Sequence, residues 1–304
     1  MANARVSVVI PCYNTGHYLR EAIDSARAQS PAPHELLVVD DGSTDDSARA
    51  ASGIPGVRLV SQANQGVSEA RNRGMLETSG EFVVFHDADD RLLPGALEIG
   101  VRELAAHPEC AFVYGFSRYI RSDGTPIETE TPERVKDASY ARMLGGSALV
   151  PPSCAMFRRS AIEAIGGFTR GQALAEDYDF YLRMTQRFPV YCHNQEVVEY
   201  RRHPENASGQ SASRTLRAVF RTLDKQRPAV RGRPELERAL LDGKRHWGQV
   251  FGEPLAFEVF EHLRRGALVR AAEAFSLVVR YQPRALLGAA GHYRTKLTSR
   301  ALRG

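Results

Sequence analysis

EFVVFHDADD, residues 81–90, is a short apolar run followed directly by three carboxylates. The run at 82–86 is rich in Val and Phe and predicts a strand buried on both faces. Asp87, Asp89 and Asp90 would place several anions at the end of that strand, which is costly unless something positive binds there. Oxygen ligands of this kind suit Mg²⁺ or Mn²⁺. A solvated turn is the alternative that this stretch leaves open.

The residues before this stretch alternate between apolar runs and amphipathic segments. The predicted strands are 6–10, 35–39, 57–60 and 82–86, and the predicted helices between them are 17–29, a segment from about 44, and 70–78. This alternation predicts an α/β fold with a parallel, doubly wound sheet. Ligands of such sheets bind at the carboxyl ends of the strands. Polar clusters follow three of the strands, at 11–14, 40–43 and 87–90.

Two phosphate-binding motifs are absent from the sequence. No GxGxxG follows the first predicted strand, which disfavours a dinucleotide-binding Rossmann enzyme, and no GxxxxGK[ST] is present, which disfavours a kinase or ATPase. A nucleotidyltransferase would carry a Gly-rich, basic loop after the first strand. The segment PCYN, residues 11–14, has neither glycine nor charge.

The composition is that of a soluble globular protein, with 43% hydrophobic and 25% charged residues among 304. No window holds the ~18 apolar residues that a membrane span needs, and the apolar run near the N-terminus is too short for a signal peptide. The cysteines are scattered without a CxxC pair. Free thiols, no zinc site and a cytoplasmic location are therefore predicted.

The second half of the chain changes character near residue 210. Before that point the sequence predicts a strand from 111, a turn at 121–126, a helix at 161–165 that stops at glycines, and a polar loop at 201–208. From 211 the pattern is helical, and the apolar spacing over 258–279 predicts a packed helix.

Charge is distributed unevenly between the two parts. Residues 201–304 carry 21 Lys and Arg against 9 Asp and Glu, whereas residues 1–200 carry 19 against 27. Three interpretations of the basic tail stay open: a solvated helical cap, a dimer contact, or a surface attracted to an anionic membrane. Nucleic-acid binding is not predicted, because the Arg residues lack an interleaved aromatic pattern.

Five segments in order carry a family signature: SVVIPCYNTGHYLREAIDSARAQ (7–29), LLVVDDGSTDDS (36–47), NQGVSEARNRG (64–74), GEFVVFHDADD (80–90) and AEDYDFYLR (175–183). Together they resemble the family 2 glycosyltransferases of the GT-A fold, over about residues 5–210. The resemblance implies a Rossmann-like, mostly parallel sheet flanked by helices. It implies a catalytic domain at 1–210, with a nucleotide-binding half at about 1–110 and an acceptor half at about 111–210. A basic, mainly helical C-terminal extension would occupy 211–304.

The resemblance assigns donor-nucleotide contacts to Pro11, Tyr13, Asp41, Asn64, Gly66, Arg71 and Asp87. Asp41 would accept from a base N–H, although it could serve only as a turn residue. Gly66 would let the backbone approach the nucleotide closely. Arg71 could neutralise a phosphate or hold an acid in a salt bridge.

The resemblance also assigns the metal and the base. Asp89 would ligate a divalent cation, Mn²⁺ or Mg²⁺, while Asp87 faces the ribose; Asp90 is the alternative ligand. His203 would complete the metal shell, unless it is simply solvated. Asp177 would be the catalytic base that takes a proton from the acceptor hydroxyl. Its alternative is an ordinary acid in the first turn of a helix.

The function implied is an inverting, metal-dependent transferase that moves a single sugar from a UDP- or dTDP-linked donor to an acceptor hydroxyl. The QxxRW signature of processive polysaccharide synthases is absent. The expected acceptor is a glycan or lipid-linked glycan in cell-surface glycan or glycolipid synthesis, with peripheral contact at the inner face of a membrane. The alternatives are a non-catalytic sugar-nucleotide-binding protein on the same fold and a nucleotidyltransferase.

Overall fold

The computed structural model describes residues 4–130, 132–136, 138–146, 151–203, 206 and 211–288. Its strands are β1 (Val6–Cys12), β2 (Glu35–Asp40), β3 (Val57–Ser61), β4 (Phe82–Phe85), β5 (Arg91–Leu92), β6 (Phe112–Arg121), β7 (Pro126–Ile127), β8 (Ala155–Arg158) and β9 (Tyr191–Arg202). Its helices are α1 (Gly16–Arg27), α2 (Ser47–Ala51), α3 (Val67–Glu77), α4 (Ala96–Ala106), α5 (Tyr140–Leu144), α6 (Arg159–Ile165), α7 (Glu176–Arg187), α8 (Ala212–Lys225), α9 (Arg227–Val230), α10 (Pro234–Val250), α11 (Gly252–Arg264) and α12 (Leu268–Tyr281).

Nine strands form one sheet in the order β3-β2-β1-β4-β8-β6-β9-β5, with β7 paired to β6. The first four strands are parallel, as the alternation of strands and helices predicts. Beyond β4 the sheet is mixed, because β8 runs antiparallel to both β4 and β6 whereas β6 and β9 are parallel. The α/β prediction is confirmed, and its parallel part brings the ends of β1, β2 and β4 to one edge.

Helix α1 covers the first strands with the predicted amphipathic face. Its buried residues are Tyr18, Leu19, Ala22, Ile23 and Ala26. All seven residues of β1 are buried. This burial on both faces explains why β1 is mostly apolar and does not alternate between apolar and polar residues.

Pro11 lies inside β1, so the predicted end of the first strand at residue 10 is wrong. The Val9 carbonyl accepts from the His86 N–H on the β4 side, and Pro11, two residues on, faces that same side. Pairing with β4 stops at Val9, whereas pairing with β2 continues to Cys12. The missing N–H of Pro11 therefore breaks no ladder bond.

An aromatic cluster joins β4 to α7. Phe168 and Phe180 stack with ring centroids 4.1 Å apart, and Phe85 packs edge-on against Phe168 at 5.0 Å. Rings in these offset and edge-on arrangements attract one another beyond their buried area. The start of α7 is thereby placed near the end of β4.

Strand β9 continues through Arg202, so Arg201 and Arg202 belong to a strand and not to the predicted polar loop. Arg202 pairs with Arg121 and Arg201 with Ile120 of β6, which gives both a regular ladder position. Of the predicted loop at 201–208, residues 204, 205, 207 and 208 lie outside the described residues, as do residues 289–304 of the predicted extension.

The described residues pack as two compact units, one within residues 1–143 and 147–203 and the other within residues 144–146 and 204–304. The described part of the second unit from residue 211 on is mainly helical, as predicted for the extension. Its core contains Leu216, Leu255, Val259, Ala274 and Val278.

The predicted helix over 258–279 is in fact two helices, α11 and α12. Gly266 separates them with φ +69°, a left-handed conformation that favours glycine and ends an α-helix. The apolar spacing continues across the turn, which is why the sequence pattern reads as one helix.

Candidate active site

The acids after β4 lie in a turn whose side chains divide between the surface and the interior. Asp87 and Asp89 are partly exposed, whereas Asp90 is 0% exposed. The Asp87 N–H donates to Ser153 Oγ at 3.0 Å, and Asp90 Oδ1 accepts from the Arg201 N–H at 2.9 Å. Burial, with the nearby Asp89 and Asp87, raises the pKa of Asp90 well above its usual range. The turn thus presents its first two acids outward and keeps Asp90 inside.

Arg71 joins this turn to the start of α7. Its guanidinium is 3% exposed and donates to Asp87 Oδ1 at 2.9 Å and to Glu176 Oε1 at 3.1 Å. It also lies over the Phe168 ring at 5.2 Å. Burial alone would lower the pKa of Arg71, but Asp87 and Glu176 outweigh it and raise the pKa above its ordinary value. Of the two roles left open for Arg71, the structure shows the salt bridge.

Asp177 lies in the first turn of α7, next to this network. The residue before the helix, Ala175, has φ +55°, a left-handed conformation that is uncommon for a residue other than glycine. Asp177 Oδ1 accepts from the Tyr178 N–H at 2.7 Å. Burial, helped by the Glu176 charge and opposed by Arg71, raises the pKa of Asp177 to about 7. A carboxylate with this pKa can both accept and release a proton near neutral pH.

Asp89 faces His203, which follows the end of β9. Asp89 Oδ2 and His203 Nε2 are 2.9 Å apart, and the His203 ring lies 5.0 Å from the Tyr18 ring. Neighbouring ligands on one cation with bonds of ~2.1 Å at right angles are separated by about 3 Å. The Asp89 oxygen and the His203 nitrogen lie at hydrogen-bond distance from each other, and the same spacing would suit two neighbouring ligands of a divalent cation.

Arg201 is a residue of this site that the sequence reading missed. It is 1% exposed, and its Nε donates to the Asp89 carbonyl at 2.8 Å while Nη2 pairs with Glu21 Oε2 at 2.6 Å. Its Nη1 donates to the Ser122 carbonyl at 2.8 Å. Arg201 therefore fixes the backbone that carries Asp89. In the sequence, Arg201 is only one of two adjacent arginines before His203. Nothing in the local sequence distinguishes an arginine that becomes buried from one that stays solvated.

The remaining predicted donor contacts gather at the ends of β1 and β2. Asp41 is 2% exposed, and its carboxylate accepts from Gln62 Nε2 at 2.8 Å, the Gln65 N–H at 2.9 Å and the Gly66 N–H at 2.7 Å. These bonds hold the segment 62–66 against the strand end. Gly66, with φ +92°, opens α3.

Tyr13 and Asn64 are exposed at this edge, and Pro11 is buried within β1. Gly42 comes close to the 62–66 segment, because a Cβ on it would stand 2.7 Å from the Asn64 nitrogen. This edge of the sheet is therefore polar along the 62–66 backbone, and the exposed Tyr13 ring offers an aromatic face to a ligand.

Tyr181 is a second residue that the sequence reading missed. It follows Asp177 by one turn of α7, is fully buried, and its hydroxyl has no hydrogen-bond partner among the described residues. Burial, and next the Asp177 charge, raise the pKa of Tyr181 well above its ordinary value. This hydroxyl is a neutral group that feels the charge of Asp177.

Comparison with known families gives one match over most of the first unit: the Glycosyl transferase family 2 model matches residues 7–166. Among curated relatives, chondroitin synthase from Escherichia coli is 31% identical over 207 residues, which is 67% of this chain and 30% of the relative. Chondroitin synthase from Pasteurella multocida is 29% identical over 60% of this chain and 19% of its own length. The chain thus spans under a third of these two relatives.

Two solved structures are similar in fold. A mannosyltransferase from Pyrobaculum calidifontis in complex with GDP-Man and Mn²⁺ aligns with a TM-score of 0.62 at 21% identity, covering 98% of this chain and 84% of that one. S. aureus TarS 1–349 in complex with UDP-GlcNAc aligns with a TM-score of 0.59 at 14% identity, covering 92% of each chain. Among the described helices, none is long and apolar enough to cross a membrane.

Proposed function

The chain belongs to glycosyl transferase family 2, and we propose that it moves a single sugar from a nucleotide sugar to an acceptor hydroxyl with inversion at the anomeric carbon. The observation that carries the proposal is the Arg71 network, in which one guanidinium holds Asp87 and Glu176 next to Asp177. It joins the acidic turn after β4, where we place the donor, to the helix that carries the base. Such a link would keep the donor site and the base that acts on the acceptor in a fixed relative position, as a reaction between two substrates requires.

Asp177 is the base in this proposal. It takes the proton of the acceptor hydroxyl while the acceptor oxygen attacks the anomeric carbon. The bond from that carbon to the diphosphate oxygen breaks, and the nucleoside diphosphate leaves with the bonding electrons. One displacement inverts the configuration and needs no covalent intermediate. The pKa of about 7 fits this role, since the group must be ionised to act yet basic enough to accept a proton.

Asp89 and His203 are the proposed cation ligands. Asp90, the alternative ligand, is not proposed to bind the cation. Asp90 is buried and its Oδ1 accepts from the Arg201 N–H, whereas Asp89 directs Oδ2 towards His203. A divalent cation bound there would act as a Lewis acid towards the leaving diphosphate. Arg201 supports this assignment by holding the Asp89 backbone.

The donor nucleotide is proposed to lie along the ends of β1 and β2. Tyr13 offers an exposed ring there, and Asn64 and Gly66 belong to the segment that Asp41 holds. The two similar structures contain UDP-GlcNAc and GDP-Man. We propose a UDP- or dTDP-linked donor, with Asp87 on the ribose side of the turn.

The acceptor is proposed to be a glycan or a lipid-linked glycan of the cell surface. Such an acceptor would place the enzyme at the inner face of a membrane, and the excess of Lys and Arg in residues 201–304 would favour anionic lipid. A non-catalytic binding protein on the same fold would need neither Asp177 nor its raised pKa.

Binding of a panel of nucleotide sugars tests the donor site. Thermal shift is measured with and without Mn²⁺ for wild type, Asp89→Ala and the control Asp46→Ala, an exposed acid that pairs with Arg49. We expect one donor class to stabilise wild type and the control in a Mn²⁺-dependent way, and Asp89→Ala to lose that dependence. Equal donor stabilisation of Asp89→Ala would overturn the metal assignment.

A further inference from the structure

The turn between α11 and α12 exposes three large apolar side chains. Leu263 is 49% exposed at the end of α11, and Leu268 and Val269 are 66% and 74% exposed at the start of α12. Turns on a soluble surface are normally polar, and neighbouring exposed apolar side chains mark a contact site more often than isolated ones do. We name these three residues the apolar tip.

One side of α12 continues the apolar tip along the helix. Leu268, Ala272, Phe275 and Val279 recur at spacings of four, three and four, which places them on one face, and all four are exposed. Ala271, Ala274 and Val278 lie on another face and are buried. The helix therefore has an apolar face beyond the one that packs within its own unit.

Three basic side chains lie close in sequence to the apolar tip. Arg264, Arg265 and Arg270 are all exposed, and Glu261 is the acid that pairs with the first two, at 2.7 and 3.5 Å. Exposed ion pairs of this kind are weak and screened. Residues 261–270, which contain the apolar tip, thus carry three arginines against one acid.

We propose that the apolar tip inserts into the head-group layer of an anionic bilayer while Arg264, Arg265 and Arg270 contact the lipid phosphates. An apolar face with a basic border is the pattern of interfacial membrane helices. A second copy of the chain fits less well, because a two-fold contact through this tip would bring two sets of like charges together. The inference rests on the proposed membrane-bound acceptor, and it names the element that makes the contact.

Vesicle co-sedimentation of the full chain tests the contact. The probes are phosphatidylcholine vesicles and vesicles that also contain phosphatidylglycerol, at low and high salt. We expect binding to the anionic vesicles only, weakened by salt, and a loss of about tenfold for Leu268→Ser/Val269→Ser. The control is Leu241→Ser, a 52% exposed leucine of α10, which is expected to bind as wild type does.

Two readouts separate insertion from its alternatives. The tryptophan fluorescence of Val269→Trp is expected to shift to the blue on anionic vesicles and to be quenched by brominated lipid. Adsorption at the surface without insertion would cause neither change. Binding of the double variant equal to wild type would overturn the proposal. A second outcome would also overturn the proposal: Leu268→Ser/Val269→Ser changes the oligomeric state measured by light scattering but does not change vesicle binding. That result would assign the tip to a contact with a second copy.

The test is independent of the sugar-transfer proposal. The apolar tip contains none of the proposed site residues, so transfer to a short water-soluble acceptor is expected to be unchanged in Leu268→Ser/Val269→Ser. Loss of vesicle binding with unchanged transfer supports the tip assignment. Vesicle binding by wild type without any transfer activity would contradict the proposed function but not the tip assignment.

Discussion

Arg71 and Arg201 are buried guanidiniums that determine where the acids of the site lie. Arg71 reaches Asp87, 16 positions away, and Glu176, 105 positions away, and Arg201 reaches the Asp89 carbonyl across 112 positions. The acids themselves can be recognised from their place after a predicted strand. The resemblance singles out Arg71 but not Arg201, and which acids the two arginines contact cannot be read from the sequence, because the contacts exist only once the sheet has formed.

Arg71→Lys tests the bridging role at the level of one residue. A guanidinium can hold two carboxylates at once, whereas an ammonium acts as a single compact charge. We expect transfer to slow about 10- to 100-fold, with a small change in folding stability, because Asp87 and Glu176, the neighbour of Asp177, lose their common support. Steady-state kinetics and thermal unfolding measure the two effects. Unaltered transfer in Arg71→Lys would show that the bridge is dispensable.

The pH dependence of transfer tests the state of Asp177. Its pKa is about 7, raised by burial and then by Glu176, so kcat/KM is expected to fall as the pH drops below about 7 and the base becomes protonated. Glu176→Gln removes a neighbouring negative charge and should move this acid limb to lower pH. The measurement is kcat/KM from pH 5 to 9 for both proteins. An acid limb that stays in place in Glu176→Gln would exclude the coupling.

Helix α3 places Arg71, and its contact with the sheet depends on one small residue. Gly74 packs on Val9 of β1, and a Cβ added to Gly74 would stand 2.2 Å from Val9 Cγ1. Sequence patterns place this helix at 70–78, close to the observed Val67–Glu77. They do not show which glycine faces a neighbour, because the reason is a close approach in three dimensions.

Gly74→Ala tests this packing. We expect a loss of about 1–3 kcal/mol in the free energy of unfolding of the first unit, since the extra methyl overpacks a buried contact. Val9→Ala removes the opposing methyls, so the double variant should be more stable than the sum of the single effects predicts. Urea unfolding measures all four proteins. Additive effects would mean that the two residues do not meet.

At the scale of the molecule, the sequence predicts the parallel strands and the α/β class well, because β-branched runs and helical spacing alternate along the first ninety residues. It is less informative where one pattern fits two structures. Pro11 sits within β1 because β4 has already ended beside it, and the 258–279 pattern divides at Gly266. The exposed face of α12 is likewise hidden in an apolar spacing that resembles a packed helix.

Acid stability reports on the whole fold through buried His86. Burial lowers the pKa of His86 to about 4, below the value of about 6.5 for an unfolded histidine. The unfolded chain therefore binds more protons between these two values, and stability that is present above pH 6.5 is lost as the pH falls towards 4. His86→Gln should make this slope shallower by about one proton, as measured by urea unfolding at several pH values. A slope that is identical in both proteins would contradict the buried neutral histidine.

The rate of sugar transfer by Asp177→Asn, measured in single turnover with a donor that binds and with Mn²⁺ present, tests the central proposal most directly. Asparagine keeps the shape of the side chain but cannot take the acceptor proton. We predict a rate lower by roughly 10²- to 10⁴-fold with unchanged donor affinity. Transfer at the wild-type rate would contradict the assignment of Asp177 as the base, and with it the proposed mechanism.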